Sequence, residues 1–170
     1  MTEIDVALLL LRLWVGVVFI AHGVNHGRTL EGTARWFASK GFRSEMLNAR
    51  ISSLNEIAIG VVLIAGFLTS VAAAGVAGTM LVAFWSIHRF VGFFNFRRPD
   101  EGYEYVTTLA VVALALAIAG PGRFSADEAL GIAADLDGWP GLAIFAGGLL
   151  VAAGQLATFW RRPVARGGDA

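Results

Sequence analysis

Five apolar runs, at residues 4–25, 51–68, 71–94, 103–119 and 139–160, decide which solvent this chain folds in. They are 22, 18, 24, 17 and 22 residues long. A hydrocarbon core of about 30 Å is crossed by ~20 helical residues rising ~1.5 Å each, so with tilt and small boundary shifts every run spans it. The stretches 110–119 and 142–153 contain no charged residue, which removes the polar face that a water-soluble helix needs. Of the 170 residues 56% are hydrophobic and 15% charged, where an ordinary soluble domain has roughly 25% charged. The expectation is an all-α, polytopic membrane bundle forming one membrane domain over 1–170.

Charge excludes one class of partner and orients the rest. Thirteen basic residues balance thirteen acidic ones and are not massed into a strip, so no nucleic-acid-binding surface is expected. The segments after the first, third and fifth runs hold eleven of the basic residues, from Arg28 to Arg166, while the opposite side has Arg123 alone. Basic loops are retained in the cytoplasm, which puts the N-terminus outside and the C-terminus inside. One lysine against twelve arginines fits a GC-rich genome, hence a bacterial plasma membrane. Residues 1–6 lack a basic n-region and Arg12 interrupts the apolar stretch, so a cleaved signal peptide is not expected. Cysteine is absent, which excludes disulfides, Cys-ligated clusters and thiol redox chemistry in this subunit.

Two segments between the runs read as interfacial. In 27–50, Leu30, Trp36, Phe37, Phe42, Met46 and Leu47 alternate with basic residues. The pattern predicts a short helix starting after Thr33 and closed by Gly41, with Trp36 and Phe37 in the headgroup zone. In 121–138, Ser125 is expected to cap one surface helix over 126–136. The second and third runs, joined by little more than Thr69 and Ser70, are expected to pack as an antiparallel hairpin. Gly60, Gly66, Gly75 and Gly78 would give that hairpin its close approach.

Alternating spans bring distant polar groups to one depth. The first run descends to His22 and His26, an i,i+4 pair on one helix face. The second rises from there with Asn55 and Glu56, the third descends to His88, and the fourth starts upward with Glu104 and Thr108. Three roles fit such a cluster. A quinone head group needs a hydrogen-bond partner for each oxygen and a base for each proton, plus an apolar slot for its tail, which imidazoles, Glu56 and neighbouring helices supply. A haem or metal would take His22, His26 and His88 as cross-helix donors, although the His pair lacks the Glu of a His-Glu-x-x-His motif. A purely structural role is the third, because groups near the headgroups are reached by water and serve as caps and staples. Arg12 lies about 12 Å below the outer helix end at ~1.5 Å per residue. A bare guanidinium in the membrane costs ~2.5–3.5 kcal/mol, so a partner is expected for it: Asp5, Asp127, Glu128, or an anionic or carbonyl ligand. Gln155 is expected to hydrogen-bond between helices.

Taken in order, several pieces carry a resemblance: Leu11-Arg12-Leu13 with Gly16, His22-Gly23, Trp36-Phe37-Ala38-Ser39-Lys40-Gly41-Phe42, Asn55-Glu56 with Gly60 and Leu63, Gly66-Phe67-Leu68-Thr69, and Gly120-Pro121-Gly122 with Ser125-Ala126-Asp127. Over about 7–130 the chain resembles the DoxX family of small bacterial membrane proteins. The resemblance implies a four-helix core with a surface segment after the first helix, to which 139–160 adds a fifth, C-terminal transmembrane helix. It also implies association with redox enzymes as a small subunit of quinone-linked systems, which makes a quinone one candidate cofactor beside haem or a metal. A second oxidoreductase subunit or another copy of the chain would be the partner, alongside membrane lipid. His26 stands where many relatives have a Lys. The alternatives are a non-catalytic scaffold recruiting a soluble oxidoreductase, and a haem- or metal-binding membrane protein. Small-solute transport lacks support, since no internal repeat or broken helix pair is present.

Overall fold

The computed structural model describes residues 2–96 and 101–163, and these are helical throughout apart from connecting turns and a single isolated bridge. Eight helices follow in chain order: α1 (Glu3–Arg28), α2 (Leu30–Ser39), α3 (Glu45–Ala65), α4 (Thr69–Ser86), α5 (Glu104–Ala119), α6 (Ala126–Ala129), α7 (Ala133–Leu136) and α8 (Gly138–Phe159). The molecule is a helical membrane bundle. Helices α1, α3, α4 and α8 are long and apolar enough to cross a bilayer, and α5 is a shorter apolar helix of 16 residues.

Several boundaries differ from those expected, each for a local reason. Helix α4 stops at Ser86 instead of running to 94, because Ile87 leaves helical geometry at φ −131° and a 3-10 turn, His88–Phe90, follows. The chain then doubles back, and the carbonyls of Gly92, Phe93 and Phe94 accept from the amides of Tyr103, Glu104 and Gly102. The apolar residues that lengthened the third run are therefore lining the entry to α5. Helix α3 starts six residues earlier than expected, at Glu45. The surface helix over 126–136 divides into α6 and α7 at Gly131, whose φ is 72°. Ser125 does cap it, its hydroxyl accepting from the Glu128 amide. Helix α2 starts at Leu30, before Thr33, and Phe37 leaves the headgroup zone for a small core with Phe42, Ala49 and Leu156.

The most extensive packing is of α1 on α3 and of α4 on both α5 and α8; α3 also packs on α4, as the expected hairpin, whereas α1 and α5 touch over little of their length. The four glycines thus serve different neighbours from the single hairpin expected. A methyl on Gly60 would sit 2.5 Å from the Gly16 carbonyl oxygen of α1, and one on Gly78 would meet Gly148 of α8. Only Gly75 faces α3, at Ile59. Gly66, with φ 65°, ends α3 in the left-handed conformation that glycine adopts without steric cost.

Arg12 is fully buried and its partners are backbone. Nε donates to the Pro121 carbonyl at 2.9 Å, Nη1 to Leu63 at 3.0 Å and more distantly to Ile64 at 3.5 Å, and Nη2 to Phe124 at 2.6 Å. None of the carboxylates expected to compensate it hydrogen-bonds to it, and two of them accept from backbone amides nearby. Asp5 accepts from the amides of Thr2 and Arg123, and Asp127 accepts from Leu68 and Thr69 at the start of α4. That second contact holds Leu68 at φ 46°, a left-handed conformation that costs a non-glycine residue ~1–2 kcal/mol.

At the opposite end of the bundle, Phe42 and Trp160 form an antiparallel bridge, with the Arg43 amide donating to Phe159 and the Arg161 amide to Gly41. The start of α1 and the finish of α8 therefore lie at opposite ends. Gln155 donates to Asn48 at 3.2 Å, tying α8 to α3 as expected.

Candidate functional site: a cleft between α1 and α5

The end where α1, α4 and α8 finish carries the polar cluster. Helical spacing stacks His22 over His26, their ring centroids 6.2 Å apart and edge to face. Across the α1–α3 seam Glu56 reaches His26, with Oε2 3.0 Å from Nδ1. The approach lies off the hydrogen-bond axis, and neither atom has another partner. Glu56 is 7% exposed as a side chain and His26 24%. The other carboxylate oxygen accepts from the Ser52 hydroxyl at 3.0 Å.

The His26–Glu56 pair borders a cleft of about 340 Å³. Its walls are α1 at His22, α3 at Ser52, α4 at Thr79 and Met80, and the chain entering α5 at Glu101 and Tyr105; Trp36 and Phe37 of α2 close one side. His88 lines it too, from the 3-10 turn rather than from a transmembrane helix, with Nδ1 donating to the Glu101 carbonyl. A carbonyl can only accept, so that nitrogen carries the proton and Nε2 is the acceptor of the neutral ring. A narrower pocket of about 40 Å³, lined by Val18, Phe19 and Leu109, shares His22, Glu56, Thr79, Met80 and Tyr105 with the cleft. Polar head and apolar slot thus adjoin where α1 and α5 fail to meet.

The structure brings together His22, His26, Glu56 and His88. Asn55, Glu104 and Thr108 are not among the residues lining the cleft. Asn55 donates to Thr79 at 3.3 Å between α3 and α4, the Glu104 carboxylate accepts from the Asn95 amide, and the Thr108 hydroxyl donates back to the Glu104 carbonyl. Ser52 and Tyr105 line the cleft without having been singled out from sequence. Ser52 stands four residues before Glu56 on the same helix face, a spacing that points to it; a tyrosine at the mouth of an apolar run gives no such signal. Among the described residues no three His, Asp or Glu side chains converge into a metal-ligand set. His22, His26 and His88 therefore do not fit a metal centre built from these side chains.

Fold and site together define a helical membrane protein with an ionisable cleft open between two helices. The family model described as DoxX matches residues 7–89, the stretch from α1 to the 3-10 turn after α4. The chain is 28% identical over 112 residues to a Bacillus subtilis (strain 168) protein named "Putative oxidoreductase CatD", an alignment covering 66% of this chain and 79% of that protein. No solved structure matches the chain.

Proposed function

We propose that this protein is a membrane subunit of a quinone-linked redox system, and that the cleft receives a quinone head group from the bilayer. The observation carrying this reading is the His26–Glu56 pair, its carboxylate buried and its imidazole partly so, which has two facing polar atoms without further partners and sits beside an apolar slot. A carboxylate buried in a membrane helix seam beside a partly buried imidazole is costly and marks a functional position. The residues present fit the group: His22, His26 and Tyr105 are donors for ring oxygens, Glu56 is the proton acceptor, and Val18, Phe19 and Leu109 flank the tail. A quinone supplies a two-electron, two-proton couple. This chain would orient the ring and move protons at Glu56 Oε2, with Ser52 steadying Oε1. Electrons would pass to a partner oxidoreductase subunit, in keeping with the name of the Bacillus relative. The arginine-rich end is taken as cytoplasmic, in a bacterial plasma membrane, which places the cleft at the inner leaflet.

Purification in mild detergent followed by solvent extraction and mass spectrometry tests the reading. Quinone is expected with the wild-type protein and absent from Glu56→Gln, and ubiquinone-1 is expected to quench the fluorescence of Trp36. A preparation that holds no quinone and shows no quenching, yet still recovers an oxidoreductase partner, would replace this reading with the scaffold.

A further inference from the structure

Asn55, expected in the polar cluster, lies outside the cleft on the exposed surface of α3. It stands at the midpoint of that helix, ten residues after Glu45 and ten before Ala65. At ~1.5 Å per residue either end is about 15 Å away, too far for so short a side chain to bring its amide to the headgroups. Nδ2 donates to the Thr79 hydroxyl at 3.3 Å, and that hydroxyl donates onward to the Gly75 carbonyl. Nδ2 has a second N–H, and among the described residues nothing donates to Oδ1. One donor and one acceptor of a primary amide therefore face hydrocarbon, where leaving them unpaired is costly.

The amide sits in a row with Ile51, Ala58, Val62 and Ala65, spaced alternately four and three residues apart; Val62 is half-buried and the others are exposed. That spacing is the seam of a left-handed helix pair, and a single Asn in such a seam sets the register of a parallel dimer. Ala58, next in the row, lets two backbones approach. Spacing alone would suit any lipid-facing surface; the amide singles this one out. Near their midpoints α5 and α8 expose Val111 and Leu150, which have no hydrogen bond to make. Helix α1 exposes Trp14, whose indole donates but cannot accept, so two copies cannot pair through it. A primary amide is its own complement: the free N–H of each copy meets Oδ1 of the other, closing two hydrogen bonds about a two-fold axis. Copies inserted with the same topology present Asn55 at the same depth, so the match in height comes with the symmetry. We propose that the chain forms a parallel homodimer through this face of α3, with the two Asn55 amides hydrogen-bonded to each other. Ser52 and Glu56 line the cleft and are not part of the row, so each copy keeps its own cleft.

Single cysteines introduced into the full-length chain, which has none of its own, test the seam in native membranes. Ile51→Cys and Ala58→Cys are expected to give disulfide-linked dimers on oxidation with copper phenanthroline, while Val111→Cys and Leu150→Cys stay monomeric. Native mass spectrometry across a range of protein-to-detergent ratios then measures the strength of association. Asn55→Leu is expected to weaken the dimer roughly tenfold while keeping its helical content, the factor that interhelical hydrogen bonds in membranes carry. Thr79→Val removes the contact within the chain but not the one between copies, and is expected to dimerise as the wild type does. Crosslinking confined to Val111→Cys or Leu150→Cys overturns the proposal, as does a wild-type protein that is monomeric at every ratio. So does an Asn55→Leu dimer as tight as the wild type, or an equal loss in Thr79→Val, which would assign the amide to the α3–α4 seam alone.

Discussion

A guanidinium shielded from water must find its acceptors in the chain, and Arg12 finds carbonyls from α3 and from the turn after α5. Removing it would strand those carbonyls in a buried site. Arg12→Ala is therefore expected to cost about 3–5 kcal/mol, read as a lowered thermal midpoint in detergent or as failure to accumulate in membranes. Arg12→Lys should recover little, because a single ammonium cannot span acceptors that the planar fork reaches together. The His26–Glu56 pair predicts the opposite. A buried ion pair replaced by apolar residues is often neutral or stabilising, so the double variant His26→Leu/Glu56→Leu is expected to match or exceed wild-type thermal stability while losing ubiquinone-1 quenching. A large drop in its stability would mean that the pair exists to hold α1 to α3.

Among the elements, glycine placement separates the seams from the lipid-facing surface. A Cβ on Gly60 would press against the backbone of α1, whereas one on Gly154 of α8 meets nothing within 4 Å. Gly60→Ala is expected to destabilise by about 1–3 kcal/mol, as overpacking does, and Gly154→Ala to change stability by less than about 1 kcal/mol. Comparative unfolding of the two variants in detergent checks this. The seams themselves were hidden from sequence, since apolarity is a local property and says nothing about which helix a glycine faces. Run length located α1, α5 and α8 well, because hydrophobic transfer acts residue by residue. It failed at the end of α4, where Val91, Phe93 and Phe94 are as apolar as a helix interior but the carbonyls of Gly92, Phe93 and Phe94 accept from the amides at the entry to α5. The i,i+4 spacing made His22 and His26 legible as neighbours. The same spacing pairs Ser52 with Glu56, whereas the position of Tyr105, the reach of Glu56 to His26 and the carbonyl cage of Arg12 depend on contacts that periodicity does not encode.

For the whole molecule, the alternation of spans predicts a two-sided protein. The natural absence of cysteine makes single-cysteine labelling clean. Glu3→Cys and Arg161→Cys are expected to react with an impermeant maleimide from opposite faces of the membrane, with Arg161→Cys protected in intact cells. Reaction of both from the same face would contradict the bundle, since α1 begins and α8 finishes at opposite ends.

The bridge between Phe42 and Trp160 also bears on how the protein is made. The ribosome releases the last helix only after the earlier ones have entered the bilayer, so α1 and α3 can dock while α4 still presents Ala74 and Gly78 to lipid. Closure waits for the final residues of α8 to reach Gly41 and Arg43. Nascent chains interrupted before Gly138 would lack that clasp, and quality-control proteases should find in them the unfinished wall that the mature bundle conceals.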